Sequence, residues 1–233
     1  MRLDKLVADS ALVTRSEARN LIKKGLVLVD GELIKDIAAR VDERSALTVS
    51  GKSVSYKKYI YIMLNKPAGY ISATEDKKQK TVMELLDPSF KRYSLFPAGR
   101  LDIDTEGFLL ITNDGNLSHN LLSPSKKVGK TYYVKYDASV SDKALEMFEQ
   151  GVDIGECVTK PAKTKRISDT EIYLTISEGK FHQIKRMAIA VGINVAYLKR
   201  MAYGGLWLDE NLKIGEYKVL SEADMSPIYN VYK

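Results

Sequence analysis

The apolar pattern of the chain changes near residue 58, and this change restricts the folds that the chain can adopt. Before residue 58, a capped helix and a tight turn between two apolar runs predict a small mixed α/β module. From Tyr59 onward, short apolar runs typical of strands are interspersed with helical segments. Because these strands and helices do not alternate strictly, we predict an α+β fold with a largely antiparallel sheet.

The second part of the chain contains most of the predicted elements. Strands are expected at residues 59–65, 108–112, 131–136, 171–177, 195–199 and 218–220. Helices are expected at residues 81–86, 117–122, 142–150 and 182–191. The chain is 45% apolar, which is enough to build a sizeable core around these elements.

Two short helices are predicted at the start of the chain. Apolar residues at helical spacing indicate the first, through Leu3, Leu6, Val7 and Leu12. Thr14 and Glu17 have the spacing of a capping box, in which each side chain binds the backbone amide of the other residue. The second helix therefore begins after Thr14, and Gly25 is expected to end it in the left-handed conformation.

A hairpin and a linker follow these helices. Residues 26–29 and 32–34 flank Asp30–Gly31, which supplies the positive φ angles of a tight turn. A further strand is predicted near 46–49. Residues 51–58 are short, polar and basic, which is typical of a linker. We therefore expect two domains, at residues 1–56 and 57–233.

Charge and composition narrow the class of protein. The net charge of +6 favours a polyanionic partner, although many basic proteins bind none. Cys157 is the only cysteine, so an internal disulfide and a cysteine zinc site are excluded. The first residues have no signal-peptide pattern, and no run approaches the ~20 apolar residues of a membrane helix. We expect a cytoplasmic protein without a membrane partner.

The second predicted helix carries a row of cations. Arg15, Arg19 and Lys23 are spaced four residues apart, which places them on one face, and Lys24 lies beside them. The row is either a solvated helix face or a ridge that contacts the phosphates of a nucleic acid.

Three carboxylates occur in the loop 96–107, just before a predicted strand: Asp102, Asp104 and Glu106. Their spacing approaches that of a calcium loop, but Asn113 replaces the bidentate Glu of the twelfth position. Alternatively, one carboxylate acts as nucleophile or base, with Arg100 nearby to keep it ionised. The acids can equally well cap turns, so spacing alone leaves these alternatives open.

Two further segments contain residues that suit chemistry or packing. In 130–136, alternation places Tyr132, Val134 and Tyr136 on one face, as a core strand or as an aromatic platform for a base. Segment 178–187 is basic at the start of a helix, where backbone amides also favour anions. Its His182 is either a general base or a structural residue. Phosphate-loop, dinucleotide-binding and nucleophile-elbow motifs are absent from the sequence.

Taken in order, these segments resemble one family over nearly the whole chain. Residues 2–5 and the cationic helix resemble an S4 RNA-binding domain. Six later segments resemble the pseudouridine synthase core: Lys66-Pro-Ala-Gly69, Gly99-Arg-Leu-Asp102, Thr105-Glu-Gly107, Thr112-Asn-Asp-Gly115, Lys130-Thr-Tyr132 and residues 178–186. Within this family, 182–185 and 203–206 resemble the RsuA branch, which acts on the ribosomal small subunit.

The resemblance implies roles for matching residues. Asp102 would be the catalytic aspartate, Tyr132 the tyrosine that packs on the target base, and Lys185 the basic partner of Asp102. Leu198 would form the apolar wall of the uracil pocket, and Arg100 would help to hold the flipped nucleotide or its backbone. No metal and no organic cofactor is implied, and the catalytic sheet is expected to be curved.

The implied function is isomerisation of a specific uridine in ribosomal RNA, most closely the 16S rRNA, to pseudouridine. RNA contacts would come from Arg2, Arg15, Arg19, Lys23 and Lys24. Two alternatives remain open: a ribosome-assembly factor that has lost catalysis, and a carboxylate glycoside hydrolase, which would need a second acid of raised pKa. Because no stretch resembles a dedicated dimer surface, we expect a monomer.

Overall fold

The structure is a computed structural model that describes residues 1–11 and 13–232, excluding the side chain of Tyr232. It divides into two compact units, Met1–Tyr59 and Ile60–Lys233. Leu12, which was assigned to the first helix, lies outside the described residues.

The first unit packs two helices on a small sheet. The helices are α1 (Leu3–Ala11) and α2 (Arg15–Lys23), and the strands are β1 (Val27–Val29), β2 (Glu32–Leu33), β3 (Leu47–Val49) and β4 (Lys52–Val54). The strand order is β2-β1-β3-β4, and every pair is antiparallel. The core is formed by the buried side chains of Leu3, Leu6, Val7, Ile22, Val27 and Leu47.

The local signals of this unit are confirmed. The Glu17 carboxylate accepts a hydrogen bond from the Thr14 amide at 2.7 Å, and the Thr14 hydroxyl accepts one from the Glu17 amide at 3.2 Å. Asp30 and Gly31 have φ angles of 52° and 86°, and they join β1 to β2 as a two-residue turn. Gly25 follows α2 with φ 72°, as expected of a left-handed helix terminator.

The prediction that residues 51–58 form a linker is partly wrong. Lys52–Val54 is strand β4, which pairs with β3 through a second two-residue turn at Ser50–Gly51. Both turn residues have positive φ angles, 50° and 76°. Because β4 is an edge strand with a mostly exposed surface, its polar side chains look like linker residues in the sequence.

The second unit is organised around a nine-stranded sheet. Its strands are β5 (Tyr61–Lys66), β6 (Phe96–Pro97), β7 (Glu106–Thr112), β8 (Lys130–Tyr136), β9 (Lys163–Arg166), β10 (Glu171–Ile176), β11 (Val195–Tyr203), β12 (Leu206–Trp207) and β13 (Tyr217–Val219). The main order is β13-β5-β7-β11-β8-β10-β9, with β6 on β7 and β12 on β11. Among the described strands only the β7–β11 pair is parallel. The predicted α+β class with a mainly antiparallel sheet is confirmed.

The helices of this unit are α3 (Gly115–Leu122), α4 (Asp142–Gln150), α5 (Gln183–Ala190) and α6 (Ser226–Tyr232). The segment predicted as a helix at 81–86 is a single 3₁₀ turn, Val82–Leu85. Strand β11 is longer than predicted and runs to Tyr203, because β7, β8 and β12 all pair with it. The long β11 therefore joins both halves of the sheet, and it carries Leu198.

Candidate active site

One cleft in the second unit contains every residue that the resemblance assigned to catalysis or to the uracil pocket. Its volume is about 950 Å³, and its lining includes Arg100, Asp102, Tyr132, Lys185 and Leu198. These residues come from the loop before β7, from β8, from α5 and from β11. The fold thus brings together side chains that are far apart in the sequence.

A buried lysine donates hydrogen bonds to the backbone of the loop that carries Asp102. Lys66 is fully buried, and its ammonium donates hydrogen bonds to the carbonyl oxygens of Thr105 at 2.9 Å, Pro67 at 3.0 Å and Asp102 at 3.1 Å. Burial lowers the pKa of Lys66 to about 8. No role was predicted for Lys66 from the sequence. The available signal was a lysine at the end of an apolar strand, directly before Pro67.

Two further contacts fix the same loop. The Ser72 hydroxyl donates to the carbonyl of Leu101 and accepts from its amide, at 3.1 and 3.0 Å. Gly107 has φ 99°, and a Cβ at this position would lie 2.2 Å from the Arg200 carbonyl oxygen. Only glycine permits the close parallel approach of β7 and β11, and this approach positions the loop end beside β11.

Lys185 lies between two carboxylates and is closer to Asp104 than to Asp102. Its ammonium is 2.6 and 2.7 Å from the two carboxylate oxygens of Asp104, and 3.6 Å from the nearer oxygen of Asp102. The Lys185 hydrogen bond lowers the pKa of Asp104. His182 also approaches Asp102, with Nε2 at 3.8 Å from its carboxylate. The expected partnership of Lys185 and Asp102 therefore includes Asp104, to which no catalytic role was assigned.

Tyr132 and Leu198 form an apolar part of the cleft on neighbouring strands. Both side chains are 7% exposed. The antiparallel register of β8 and β11 pairs Tyr132 with Arg200 and Val134 with Leu198. The predicted face of Tyr132, Val134 and Tyr136 is buried, which confirms the alternation. This surface can cover a planar base and exclude water from it.

The edge of the cleft carries an exposed aromatic pair. Phe181 is 70% exposed, and its ring stacks on that of His182 with centroids 3.8 Å apart. His182 has φ 48° at the start of α5. Arg186, by contrast, binds Glu156 and the carbonyl of Ile154. The basic segment 178–187 thus divides between the cleft and structural contacts.

The candidate RNA-binding cations of the first unit are all exposed, but they differ in their contacts. Arg2 and Arg19 each bind the carboxylate of Asp4 at 3.1 Å, although its side chain is fully buried. Hydrogen bonding to Arg2 and Arg19 lowers the pKa of Asp4 to about 2. The side chains of Arg15, Lys23 and Lys24 are also exposed. Asp4 thus positions two guanidinium groups whose outer parts face solvent.

Comparison with known proteins identifies the family. The RNA pseudouridylate synthase profile matches residues 60–190, and the S4 domain profile matches residues 1–45. An uncharacterized RNA pseudouridine synthase of Bacillus subtilis, YtzG, is 50% identical over 231 residues, covering 97% of each chain. The chain belongs to the RNA pseudouridine synthase family. Members of this family are isomerases that act on RNA.

Two further relatives of this pseudouridine synthase refine the comparison. Ribosomal small subunit pseudouridine synthase A of Escherichia coli is 40% identical over 231 residues, covering 98% of this chain and all of that protein. A crystal structure of a pseudouridylate synthase aligns with a TM-score of 0.69 and 34% identity, covering 98% and 99% of the two chains. The predicted family, enzyme class and S4 domain are confirmed.

None of the described helices of this synthase is both long enough and apolar enough to cross a membrane.

Proposed function

We propose that this synthase converts a specific uridine of small-subunit ribosomal RNA to pseudouridine, with Asp102 as the essential residue. The observation that carries the proposal is the convergence of Asp102, Tyr132, Lys185 and Leu198 on one cleft. An anionic nucleophile or base, an aromatic surface and an apolar wall are the groups that isomerisation of a detached base requires.

The proposed substrate follows from the relatives and from the first unit. The relatives of Escherichia coli and Salmonella typhimurium are named for the ribosomal small subunit, and they match this chain over nearly its full length. The S4 unit presents Arg15, Lys23 and Lys24 to solvent, together with the two arginines that Asp4 positions. Cations of this kind bind RNA phosphates. We therefore assign RNA docking to the first unit and chemistry to the second.

The target uridine must leave the base stack before it can reach the cleft. In the cleft, the uracil ring would lie against Tyr132 and Leu198, both nearly buried. These side chains keep water from the anomeric carbon while the base is detached, so that the reaction ends in isomerisation rather than in hydrolysis.

The reaction exchanges one bond for another within the same nucleotide. The bond from N1 to C1′ breaks and a bond from C5 to C1′ forms, while the proton at C5 leaves and N1 gains one. Asp102 can attack C1′, attack the base or abstract a ribose proton, and each route needs the carboxylate in its ionised form. The Lys185 ammonium lies 3.6 Å from this carboxylate and can orient it toward the nucleotide.

Asp104 and Lys66 position Asp102 indirectly, through Lys185 and through the backbone of the loop. Asp104 binds Lys185 more closely than Asp102 does, which holds the ammonium at a set position beside the catalytic carboxylate. Lys66 binds the backbone of the loop on both sides of Asp104. The carboxylate of Asp102 is therefore positioned before the substrate arrives.

The test is to incubate the full-length protein with unmodified small-subunit rRNA and read carbodiimide-dependent reverse-transcription stops. Asp102→Asn should abolish the stop while keeping RNA affinity within about tenfold, because phosphate contacts dominate affinity. Asp169→Asn, an exposed aspartate in the turn between β9 and β10, is the matched control and should keep full activity. Ribosomal-protein-bound RNA serves as a second substrate.

The same experiment separates the alternatives. Tight RNA binding without any stop on either substrate would favour a ribosome-assembly factor. The glycoside hydrolase alternative requires an acid of raised pKa, whereas the pKa of Asp104 is lowered by Lys185 and Glu106 accepts a hydrogen bond from Tyr197. A monomeric state and a cytoplasmic location remain predictions.

A further inference from the structure

The floor of the cleft contains three polar side chains that the proposed chemistry does not use: Lys130, Arg200 and Tyr203. Lys130 begins β8, and the other two residues lie on β11. Arg200 is paired with Tyr132 in the register of β8 and β11, and it lies two residues from Leu198. The three side chains are therefore next to the surface assigned to the uracil ring.

Arg200 is almost completely buried, at 1% exposure, and only part of its guanidinium is satisfied. Its Nε donates to the carbonyl of Phe108 at 2.6 Å, and its carbon Cζ lies 4.9 Å from the centre of the Tyr203 ring. Within the part of the chain that the structure describes, Arg200 Nη2 and the Tyr203 hydroxyl have no hydrogen-bond partner. Burying polar groups without partners is unfavourable, the more so when they are charged, so these two groups call for a partner such as a bound ligand.

Lys130 adds a second cation to this region. Its ammonium donates to the carbonyl of Val128 at 3.3 Å and lies 5.4 Å from the centre of the Tyr203 ring. Burial, and secondly the charge of Arg200, lower the pKa of Lys130 to about 8. The charge of Arg200 thus disfavours the protonated form of Lys130.

Nearby carboxylates do not neutralise this pair. Glu178 attracts Lys130, but its Oε1 accepts hydrogen bonds from the Lys160 amide and the Gln183 side chain. Among the described residues, neither Lys130 nor Arg200 forms an ion pair with a carboxylate. The acids of the cleft, Asp102 and Asp104, are instead bound by Lys185. A buried cation without a counter-ion, such as Arg200, is unfavourable, and a bound anion would offset that free energy.

We propose that Lys130, Arg200 and Tyr203 form a phosphate subsite for the phosphodiester next to the reactive uridine. This inference rests on the proposed function, because it takes the RNA substrate as the source of the anion. A phosphodiester carries one negative charge shared by two non-bridging oxygens, and Arg200 Nη2, the Lys130 ammonium and the Tyr203 hydroxyl are three donors available to them. A neutral uracil carbonyl would satisfy one donor and leave both charges uncompensated.

The position of the subsite suits a nucleotide whose base lies on Tyr132. A Cβ added to Gly99 would lie 3.7 Å from the Tyr203 hydroxyl, so this hydroxyl lies beside the backbone that leads to Arg100. Arg100 itself is exposed at the cleft. The subsite would therefore grip the RNA backbone between the uracil surface and Arg100, and it would orient C1′ toward Asp102.

The test uses a short RNA that contains the modified uridine and in which one phosphodiester at a time is replaced by a neutral methylphosphonate. In the wild type, one replacement next to the uridine should lower kcat/KM by about tenfold or more, the effect of losing charge-assisted hydrogen bonds. In Lys130→Gln the same replacement should lower kcat/KM by a clearly smaller factor than in the wild type, because one of the three donors has already been removed. Tyr203→Phe should show a smaller loss of the same kind.

Matched controls are available in the same unit. Lys143→Gln changes an exposed lysine of α4, and Tyr173→Phe changes a tyrosine of β10; neither residue lines the cleft. In both controls the methylphosphonate should lower kcat/KM by the same factor as in the wild type. Tyr203→Phe removes a hydroxyl that has no partner among the described residues, so its thermal midpoint should not fall, which keeps the test valid if Lys130→Gln fails to fold.

The outcomes distinguish the inference from the function on which it rests. If the wild type forms no pseudouridine in this RNA or in the rRNA, the proposed function fails. If the wild type is active but each methylphosphonate lowers kcat/KM by the same factor in Lys130→Gln as in the wild type, the subsite is refuted. Lower kcat in Tyr203→Phe and Lys130→Gln, without dependence on any one phosphate, would also refute it and would favour a contact with the uracil ring.

Discussion

Replacement of Lys66 by methionine tests whether one buried ammonium positions the catalytic loop. Methionine keeps an unbranched side chain of similar length but removes the donors to the carbonyls of Pro67, Asp102 and Thr105. A hydrogen bond contributes about 0.5–1.5 kcal/mol net, and a buried carbonyl left without a donor costs about 1–3 kcal/mol. Because the variant no longer buries a charge, part of this loss is offset, and the expected net decrease in unfolding free energy is about 2–4 kcal/mol.

The change should also lower the activity of the molecules that remain folded. The ammonium contacts the backbone on both sides of Asp104, and a displacement of the loop by about 1 Å can lower the rate about 100-fold. We expect kcat/KM to fall by about that factor under conditions in which the variant is still folded. The exposed Lys213→Met is the matched control, and it should change neither quantity.

The pH dependence gives Lys66→Met a second readout. Burial lowers the pKa of Lys66 from 10.5 in the unfolded chain to about 8 in the folded chain. Between these values the unfolded chain binds more protons, so the wild-type unfolding free energy gains a contribution that rises with pH. The stability gap between wild type and Lys66→Met, measured by urea unfolding, should therefore widen from pH 8 to pH 10.5. A variant with wild-type stability and wild-type kcat/KM would refute the argument that Lys66 holds the loop.

Three further changes test other parts of the structure. Asp104→Asn removes the carboxylate that holds the Lys185 ammonium in position beside Asp102, so the single-turnover rate should fall about tenfold with unchanged RNA affinity; an unchanged rate would contradict this. In the wild type, the lowered pKa of Asp4 contributes stability that is present above about pH 4 and is lost as the pH falls through about 2. Asp4→Asn removes this contribution, so the denaturant midpoint of the variant should change less than that of the wild type between pH 4 and pH 2. The RNA affinity of the variant should also fall. Gly107→Ala should lower the unfolding free energy by more than about 2 kcal/mol, because its Cβ would meet the Arg200 carbonyl at 2.2 Å, whereas Gly115→Ala, with open space, should not destabilise the chain in the same urea titration.

The local structure of this protein follows directly from short stretches of sequence. Thr14 and Glu17 form their capping box because both partners lie within one helical turn. Asp30 and Gly31 form their turn because they tolerate positive φ angles. Helix α4 begins and ends at the predicted residues, since Ser141 caps it and Gly151 follows it. The same rules missed β4, because an exposed edge strand lacks the apolar alternation on which strand prediction depends.

Long-range contacts were decided by the tertiary structure alone. Lys185 is 81 residues from Asp104, and Lys66 is 39 residues from Thr105. Both contacts depend on the sheet order β5-β7-β11-β8, which no local pattern specifies. The ordered motifs were sufficient to indicate the family and the residues of the cleft. Which carboxylate or carbonyl each cation binds, and which cations bind none, is decided by the tertiary structure, because electrostatic partners are set by distance in space and not by spacing along the chain.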